Sequence, residues 1–462
     1  MSVTPPVPVV RRARLSVGAL FLTNGALLAN LLPRYPEVKA QLGMENSVYG
    51  LALAAFPAGA ILAGFAAGAL IRRIGSAALA TFGTVLTATG LLAAAWAPGA
   101  LWFALALLAA GAFDALTDVA QNAHGLRVQR HLGRSVINSF HALWSLGAVL
   151  GGAMAAAAIA LEMPLRTHLL LSGILFSVVA LLARRAALPG RDVDDVADPV
   201  GAPTGPAVAE GTESTGATAD DATAAGTVPG GTTADGTALG GTTPGGTAAS
   251  DAPADATAQR RAPRGGRTAA VLGALVLIAI AGTLVEDAGN SWATLYLARD
   301  LGAASTIAAT GFVALVGAQF VGRLLADPLV DRLGQRAVAR GGGALIALGM
   351  GLALALPSVP GTISGFALAG LGSASLVPSA MAQADALPGL RPGTGLTVVS
   401  WLMRLGFLAS PPLVGLVADA FGLRVGLLSV PLAGLAVVLL AGVLPARRHS
   451  TPVPEREPST VG

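Results

Sequence analysis

Long apolar stretches are the feature that most limits how this chain of 462 residues can fold. A helix needs about 20 mostly apolar residues to cross a hydrocarbon core of ~30 Å. Twelve stretches qualify, at 15–33, 48–70, 77–97, 101–126, 135–160, 165–183, 269–297, 305–327, 337–356, 361–382, 394–418 and 425–444. Charged residues make up only 12% of the chain. The sequence therefore predicts an all-α polytopic protein with twelve transmembrane helices in a lipid bilayer, since a β-barrel alternates over short segments.

The basic residues predict the orientation. With a cytoplasmic N-terminus, 22 of the 29 arginines and lysines lie in the cytoplasm, five lie outside and two lie within spans. Cytoplasmic loops of membrane proteins carry such an excess. We expect a bacterial inner-membrane protein with both termini in the cytoplasm. Because the arginines flank helices, the net charge of +4 does not indicate a nucleic-acid partner.

The middle of the chain separates two groups of six spans. Residues 186–267 are rich in Gly, Thr, Ala, Pro and Asp, with too few large apolar residues to form a core. We interpret them as a disordered cytoplasmic linker, with a regulatory docking segment as the alternative. The predicted organisation is a tail at 1–14, six-helix halves at 15–185 and 268–446, and a tail at 447–462.

The two halves repeat each other at a constant offset of 259 residues. The offset relates Gly43 to Gly302, Arg73 to Arg332, Gly75 to Gly334, Gly83 to Gly342, Gly90 to Gly349, Gly111 to Gly370 and Gly147 to Gly406. Duplicated halves of a transporter form a substrate site between them, near the middle of the membrane, and rock about it in alternating access. The sequence therefore predicts two pseudo-symmetric halves.

Two loops carry a resemblance to a known family. GALIRRIGS (68–76) and DPLVDRLGQR (327–336) resemble the G-x-x-x-D-R-x-G-R-R loop of the major facilitator superfamily. The matching residues are Arg73 and Gly75 in the first loop and Asp331, Arg332, Gly334 and Arg336 in the second. Arg72 and Asp327 depart from the pattern. The resemblance implies a secondary transporter whose matching loop residues serve a cytoplasmic gate.

Longer segments are similar to a group of bacterial permeases related to fucose permease. They are PRYPEVKAQLG (33–43), DVAQNAHGLRVQRHLGRSVINSFHALWSLG (118–147), SWATLYLARDLGA (291–303) and LGFLASPPLVGLVAD (405–419). This resemblance covers both halves, without the linker and the tails. It implies a small, sugar-like solute as substrate.

Polar residues form a stripe on the fourth span. Asp114, Asp118, Gln121 and Asn122 recur at helical spacing. Two carboxylates one turn apart in a medium of low dielectric do not both stay ionised easily, so at least one is expected to bind a proton. We interpret Asp114 and Asp118, with Glu286 of the seventh span, as candidates for proton coupling. A structural hydrogen-bonded pair is the alternative.

The fifth span places Asn138, His141 and Ser145 on one face, with Trp144 beside them. We expect this face to border the substrate, with the indole as a wall for a ligand ring. The alternatives are a neutral histidine within a helix interface and a tryptophan that only packs. The other cavity candidates are Asn24, Gln121, Asn122, Asn290 and Arg404.

The second half offers further polar residues. In the seventh span, Thr283–Tyr296 with Gly282 and Gly289 predicts a helix that unwinds around a cavity, with Glu286 and Asn290 as a pair. Trp292 is expected to anchor at the membrane interface, and Asp287 to lie nearer the outer gate. Arg323 and Asp327 are expected to form a gating ion pair, and Arg404 to find its partner on another helix.

Several function classes lack their signatures. The sequence has neither a nucleotide-binding G-x-x-x-x-G-K-[ST] loop nor an H-E-x-x-H metal motif, and it has no cysteine. We therefore expect no enzyme activity, no cofactor and no metal. Our interpretation is a monomeric secondary transporter that moves a small solute with protons. The alternatives are a proton-antiport exporter of amphiphilic compounds and a permease-like sensor that does not transport.

The linker composition gives a first prediction. Replacing residues 195–258 with a shorter Gly/Ser segment is expected to leave expression and transport nearly unchanged, because an unfolded tether contributes length and no contacts. Membrane yield and uptake into cells measure both quantities. Normal insertion with lost transport would show that the segment has a role of its own.

Overall fold

The computed structural model describes residues 7–133, 136–189, 265–390 and 394–446. The helices are α1 (Val7–Leu31), α2 (Tyr35–Gln41), α3 (Asn46–Ile74), α4 (Ser76–Ala95), α5 (Ala100–Leu132), α6 (Ile137–Ala160), α7 (Leu165–Arg185), α8 (Gly265–Arg299), α9 (Ser305–Leu333), α10 (Gln335–Ala355), α11 (Val359–Ser373), α12 (Leu376–Asp385), α13 (Thr394–Phe421), α14 (Leu423–Gly426) and α15 (Ser429–Leu440). Short 3₁₀ turns follow at Leu32–Arg34 and Ala441–Val443.

These helices confirm the predicted fold class. The described residues contain 12 segments long and apolar enough to cross a membrane. The tenth segment is divided between α11 and α12, and the twelfth between α14 and α15. Helix α1 begins at Val7, inside the predicted tail, because Val10 and Ala13 pack against Val128 and Ile137. Helix α8 begins at Gly265, and linker residues 190–264 lie outside the described residues.

Paired glycines show that the two halves repeat in three dimensions. Gly75 (φ 84°, ψ 151°) and Gly334 (φ 84°, ψ 153°) each end one helix and begin the next in the same backbone conformation. That conformation disfavours a side chain. Gly111 lies against the Phe56 carbonyl oxygen and Gly370 against that of Leu315, and both pairs are related by the same offset.

The halves meet closely at one end of the bundle. This end, called here the sealed end, carries the connections 32–45, 161–164, 300–304 and 356–358; the opposite, terminal end carries Val7 and the residues after Val443. At the sealed end, the Asp419 carboxylate of α13 accepts the backbone N–H groups of Asn46 (2.8 Å) and Ser47 (2.7 Å). An acid at these positions satisfies the free N–H groups that begin α3.

A second bond joins the halves deeper in the bundle. The Tyr49 hydroxyl donates to the Ser291 carbonyl oxygen at 2.7 Å, and Gly50 lies directly against the Pro411 backbone. Two pairs of helices face each other across the boundary between the halves, called here the seam: α3 with α13, and α6 with α9. The other substantial contacts between halves in the described ranges involve α2 and the turn Leu32–Arg34, both at the sealed end. The structure is therefore a conformation closed at the sealed end.

Close packing at Gly111 gives a second prediction. A methyl group there would overlap the Phe56 carbonyl oxygen, whereas one at Gly64 of α3 meets nothing within 4 Å. Gly111→Ala is expected to lower the free energy of unfolding by about 1–3 kcal/mol through overpacking. Gly64→Ala is the control, expected to be neutral or slightly stabilising because alanine favours a helix. Thermal unfolding in detergent measures both, and equal stability of the two variants would contradict the packing.

Candidate functional site

Asn24 of α1 connects three helices of the first half. Its Nδ2 donates to Asp114 Oδ1 of α5 at 2.7 Å. Its Oδ1 accepts a hydrogen bond from Trp144 Nε1 of α6 at 2.8 Å. Both ends of one amide are thus used, and the indole is held by its polar edge. The predicted candidates Asn24, Asp114 and Trp144 therefore come together.

Asp118 lies at the start of a second chain of hydrogen bonds. Asn122 Nδ2 donates to Asp118 Oδ1 at 3.1 Å and to the Asp118 carbonyl oxygen at 2.9 Å. The remaining amide oxygen of Asn122 is 3.1 Å from His141 Nε2. Since an amide oxygen only accepts, His141 Nε2 carries the hydrogen of this bond. The half-buried imidazole also meets the edge of the Phe21 ring, with centroids 5.1 Å apart.

Two arginines of the second half face these residues. Arg323 Nη1 of α9 donates to Ser145 Oγ of α6 at 3.2 Å and interacts electrostatically with His141. Arg404 of α13 acts electrostatically on Asp118 of α5, but no salt bridge joins them among the described residues. We call this group the central cluster; its members are Asn24, Asp114, Asp118, Asn122, His141, Trp144, Ser145, Arg323 and Arg404. Its charged groups come from both halves.

Glu286 and Asn290, expected to face inward together, are both half-buried and lie one turn apart on α8. Gln319 Nε2 of α9 donates to Glu286 Oε2 at 2.9 Å. The buried Oδ1 of Asn290 has no hydrogen-bond partner in the described part of the chain. The carboxylate is therefore bound by a neighbouring helix, while the Asn290 amide oxygen stays unpaired.

The predicted gating pair of Arg323 and Asp327 is wrong for this conformation. No ion pair joins them among the residues that the structure describes, and Asp327 is exposed. The guanidinium turns toward Ser145, across the seam, instead of along its own helix.

Two expectations for α8 are also wrong. The helix is continuous from Gly265 to Arg299 and does not unwind. Its glycines allow close packing instead: Gly282 contacts Leu376 and Val377, and Gly289 contacts Leu315. Trp292 is fully buried with its ring edge-on to Tyr49, with centroids 5.0 Å apart, and is no interfacial anchor.

The remaining cavity candidates are Gln121 of α5 and Asn138 of α6. Gln121 is fully buried, with its Nε2 3.4 Å from Asp118 Oδ1, so it does not face a solute in this conformation. The Asn138 side chain lies outside the part of the chain that the structure describes.

The predicted gate residues lie at the terminal end. Arg73, Asp331 and Arg332 are exposed there, in the last turns of the helices that end at Gly75 and Gly334. Arg336 is bound by its Nε to the Leu444 carbonyl oxygen at 2.9 Å. A cavity of about 360 Å³ beside Gly75 is lined by Arg127 and Arg184 and lies within the first half, away from the central cluster.

Asp287 was expected to lie nearer the outer gate, but the sequence assigned it no partner. Its side chain is 9% exposed at the sealed end, next to the α3–α13 contact. Ser291 Oγ donates to its Oδ1 at 3.4 Å, while its buried Oδ2 has no partner within the described residues. The polar run Thr283–Tyr296 was the available signal, but helical spacing alone does not identify the partners on other helices.

No group of three or more potential metal ligands occurs among the described residues.

The sequence matches the Major Facilitator Superfamily over residues 17–233 and 274–461. The chain belongs to this superfamily. Its members are transporters of small molecules, and this chain is a multi-pass membrane transporter of that fold.

Relatives of this superfamily member are bacterial. It is 27% identical over 428 residues to an uncharacterized transporter, y4wD, of Sinorhizobium fredii, which covers 93% of this chain and 97% of that protein. It is 35% identical to the membrane protein MosC of Rhizobium meliloti over 173 residues, 37% of this chain and 42% of MosC.

Solved structures share the fold at low sequence identity. A bacterial homologue of the human lysosomal transporter Spinster, in an inward-facing conformation, is 12% identical with a TM-score of 0.63, covering 95% of this chain and 98% of that one. A D-xylose–proton symporter is 14% identical with a TM-score of 0.62, covering 95% and 98%. These likenesses confirm the twelve-helix fold.

A pair of histidines gives a third prediction. His141 and His168 each bond to the Oδ1 of an asparagine, Asn122 at 3.1 Å and Asn30 at 2.8 Å. His168 is 4% exposed near the sealed end, whereas His141 is half-buried in the central cluster. His141→Ala is expected to weaken solute binding several-fold at a stability loss of about 1 kcal/mol, because it removes one hydrogen bond beside the solute.

His168→Ala is the matched control, expected to lower thermal stability without changing solute affinity. Thermal unfolding gives the stability of each variant, and titration with a solute found by thermal-shift screening gives the affinity. Unchanged affinity with poor stability in His141→Ala would assign His141 to helix packing.

Proposed function

We propose that this protein is a secondary active transporter that moves a small polar solute by alternating access, coupled to protons. The observation that carries the proposal is the meeting of polar groups from both halves: Arg323 Nη1 donates to Ser145 Oγ across the seam at 3.2 Å. In the same cluster Arg404 of the second half acts electrostatically on Asp118 of the first without forming a salt bridge. Rocking of one half on the other changes the separation of these two charges, and hence the stability of the ionised Asp118 carboxylate. A solute that favours one conformation is thereby linked to a proton.

The hydrogen bonds of the two acids support this coupling. Asp114 accepts from the Asn24 amide, and Asp118 accepts from the Asn122 and Gln121 amides. Neutral amides stabilise a carboxylate less than a charged partner does. Both carboxyls therefore remain able to take up a proton, with Asp118 as the main coupling group and Asp114 and Glu286 in support.

The central cluster favours an uncharged, hydroxyl-rich solute. Asn122 and His141 offer hydrogen bonds, and the half-buried Trp144 offers an aromatic face, while acids and arginines are both present in the cluster. Polar groups placed beside an aromatic wall suit a sugar-like ring. This agrees with the resemblance to permeases related to fucose permease.

We further propose that the terminal end faces the cytoplasm, following the excess of arginines there. In that orientation the conformation closed at the sealed end is the inward-facing one, in a bacterial inner membrane. Uptake compared in right-side-out and inside-out vesicles distinguishes import from export.

Asp118 gives the fourth prediction. Asp118→Asn is expected to abolish accumulation driven by a pH gradient, because the amide binds no proton in the functional range. It is expected to retain solute exchange, because the amide keeps the shape of the side chain. Reconstituted vesicles with labelled solute measure both rates, and exchange within the same variant serves as the control for folding. Undiminished gradient-driven accumulation would overturn the assignment.

A further inference from the structure

We propose that Asp287 is a second proton-binding group, one that holds the sealed end closed in its neutral form and favours opening when ionised. The proposal rests on the proposed proton-coupled transport and adds to it a group outside the central cluster. Proton binding at Asp118 would depend on the solute site, whereas proton binding at Asp287 would depend on whether the halves are in contact at the sealed end.

The weak hydrogen bonding of the Asp287 carboxyl favours its neutral form. Its Oδ2 is buried without a hydrogen-bond partner among the described residues, and Ser291 Oγ reaches Oδ1 only at 3.4 Å. A buried carboxylate with so few hydrogen bonds costs more free energy as an ion than as a neutral acid.

The charges around Asp287 point the same way. The titratable groups within electrostatic range of its carboxyl are Tyr35 of α2, Tyr49 of α3 and Glu286 of α8. None of them is cationic, and no salt bridge to Asp287 occurs among the described residues. An ionised carboxylate buried without a cation is strongly disfavoured. The sealed seam therefore selects the neutral carboxyl.

The position of Asp287 links its proton to the movement of the halves. One turn further along α8, the Ser291 carbonyl oxygen accepts the Tyr49 hydroxyl of the first half, and Trp292 contacts the Tyr49 ring. When the halves separate at this end, Tyr49 leaves α8 and water reaches the carboxyl. Asp287 then releases its proton to that water, and it takes one up again on closing.

The direction of the pH dependence follows. Only the neutral carboxyl fits the closed seam, so closing at this end takes up one proton at Asp287. A higher pH therefore shifts the population toward opening at the sealed end, and a lower pH shifts it toward closing.

A distance measurement tests the proposal without any solute. The chain has no cysteine, so spin labels attach selectively to Gln41→Cys on α2 and Ala304→Cys before α9, both exposed and in opposite halves at the sealed end. All variants also carry Asp118→Asn, so that Asp118 contributes no proton. In lipid nanodiscs, the label separation is then expected to lengthen from acidic to alkaline pH. With Asp287→Asn added it is expected to stay short throughout, because the amide is always neutral.

Asp300→Asn is the control, an exposed acid at the same end of the bundle, and is expected to titrate like the parent.

A parent separation that does not change with pH, or a change that persists in Asp287→Asn, would overturn the proposal. This readout needs no transport, so its failure is distinguishable from that of Asp118→Asn. A pH-dependent seam with undiminished transport in Asp118→Asn would preserve Asp287 and reject Asp118 as the coupling group.

Discussion

Backbone contact between helices at glycines is the constraint on which the rest of this structure depends. Lipid tails are as apolar as leucine, so helices in a membrane associate through close packing and hydrogen bonds. On α1 and α6, Gly25 lies against the Trp144 carbonyl oxygen and Gly147 against that of Leu22. This contact brings Asn24 within 2.8 Å of the Trp144 indole. The polar network of the central cluster thus follows from the absence of side chains beside it.

The central cluster uses neutral amides for its contacts within the first half and arginines for its contacts between the halves. Within the first half, amides of Asn24 and Asn122 bind the acids to α1 and α6 and hold them in place in every conformation that keeps this half rigid. Between halves, Arg404 attracts the Asp118 carboxylate without a salt bridge, and Arg323 bonds to the neutral Ser145 hydroxyl. Electrostatic attraction acts over a greater distance than a hydrogen bond, so the contacts across the seam can vary in strength as the halves move.

Much of this fold could be predicted from the sequence, but fewer of its contacts could. Span length and the repeated glycines predicted twelve helices in two halves, because both depend on local chemistry. Helical spacing also placed Asp114, Asp118 and Asn122 on one stripe. It was wrong for Arg323 with Asp327, since Arg323 bonds to Ser145 of another helix, and it did not identify Gln319 as the partner of Glu286. Spacing describes one helix, and packing decides which helix is next to it.

The two sets of hydrogen bonds that join the halves at the sealed end, those of Asp419 and that of Tyr49, differ in their access to water. The Asp419 carboxylate is exposed, so water can replace its hydrogen bonds to Asn46 and Ser47 as soon as they break. The bond from Tyr49 to Ser291 is buried, and its groups find no such replacement until the seam has parted. We therefore expect separation to begin at the rim, with the buried bond of Tyr49 breaking after the bonds of Asp419 and contributing more to the barrier to opening.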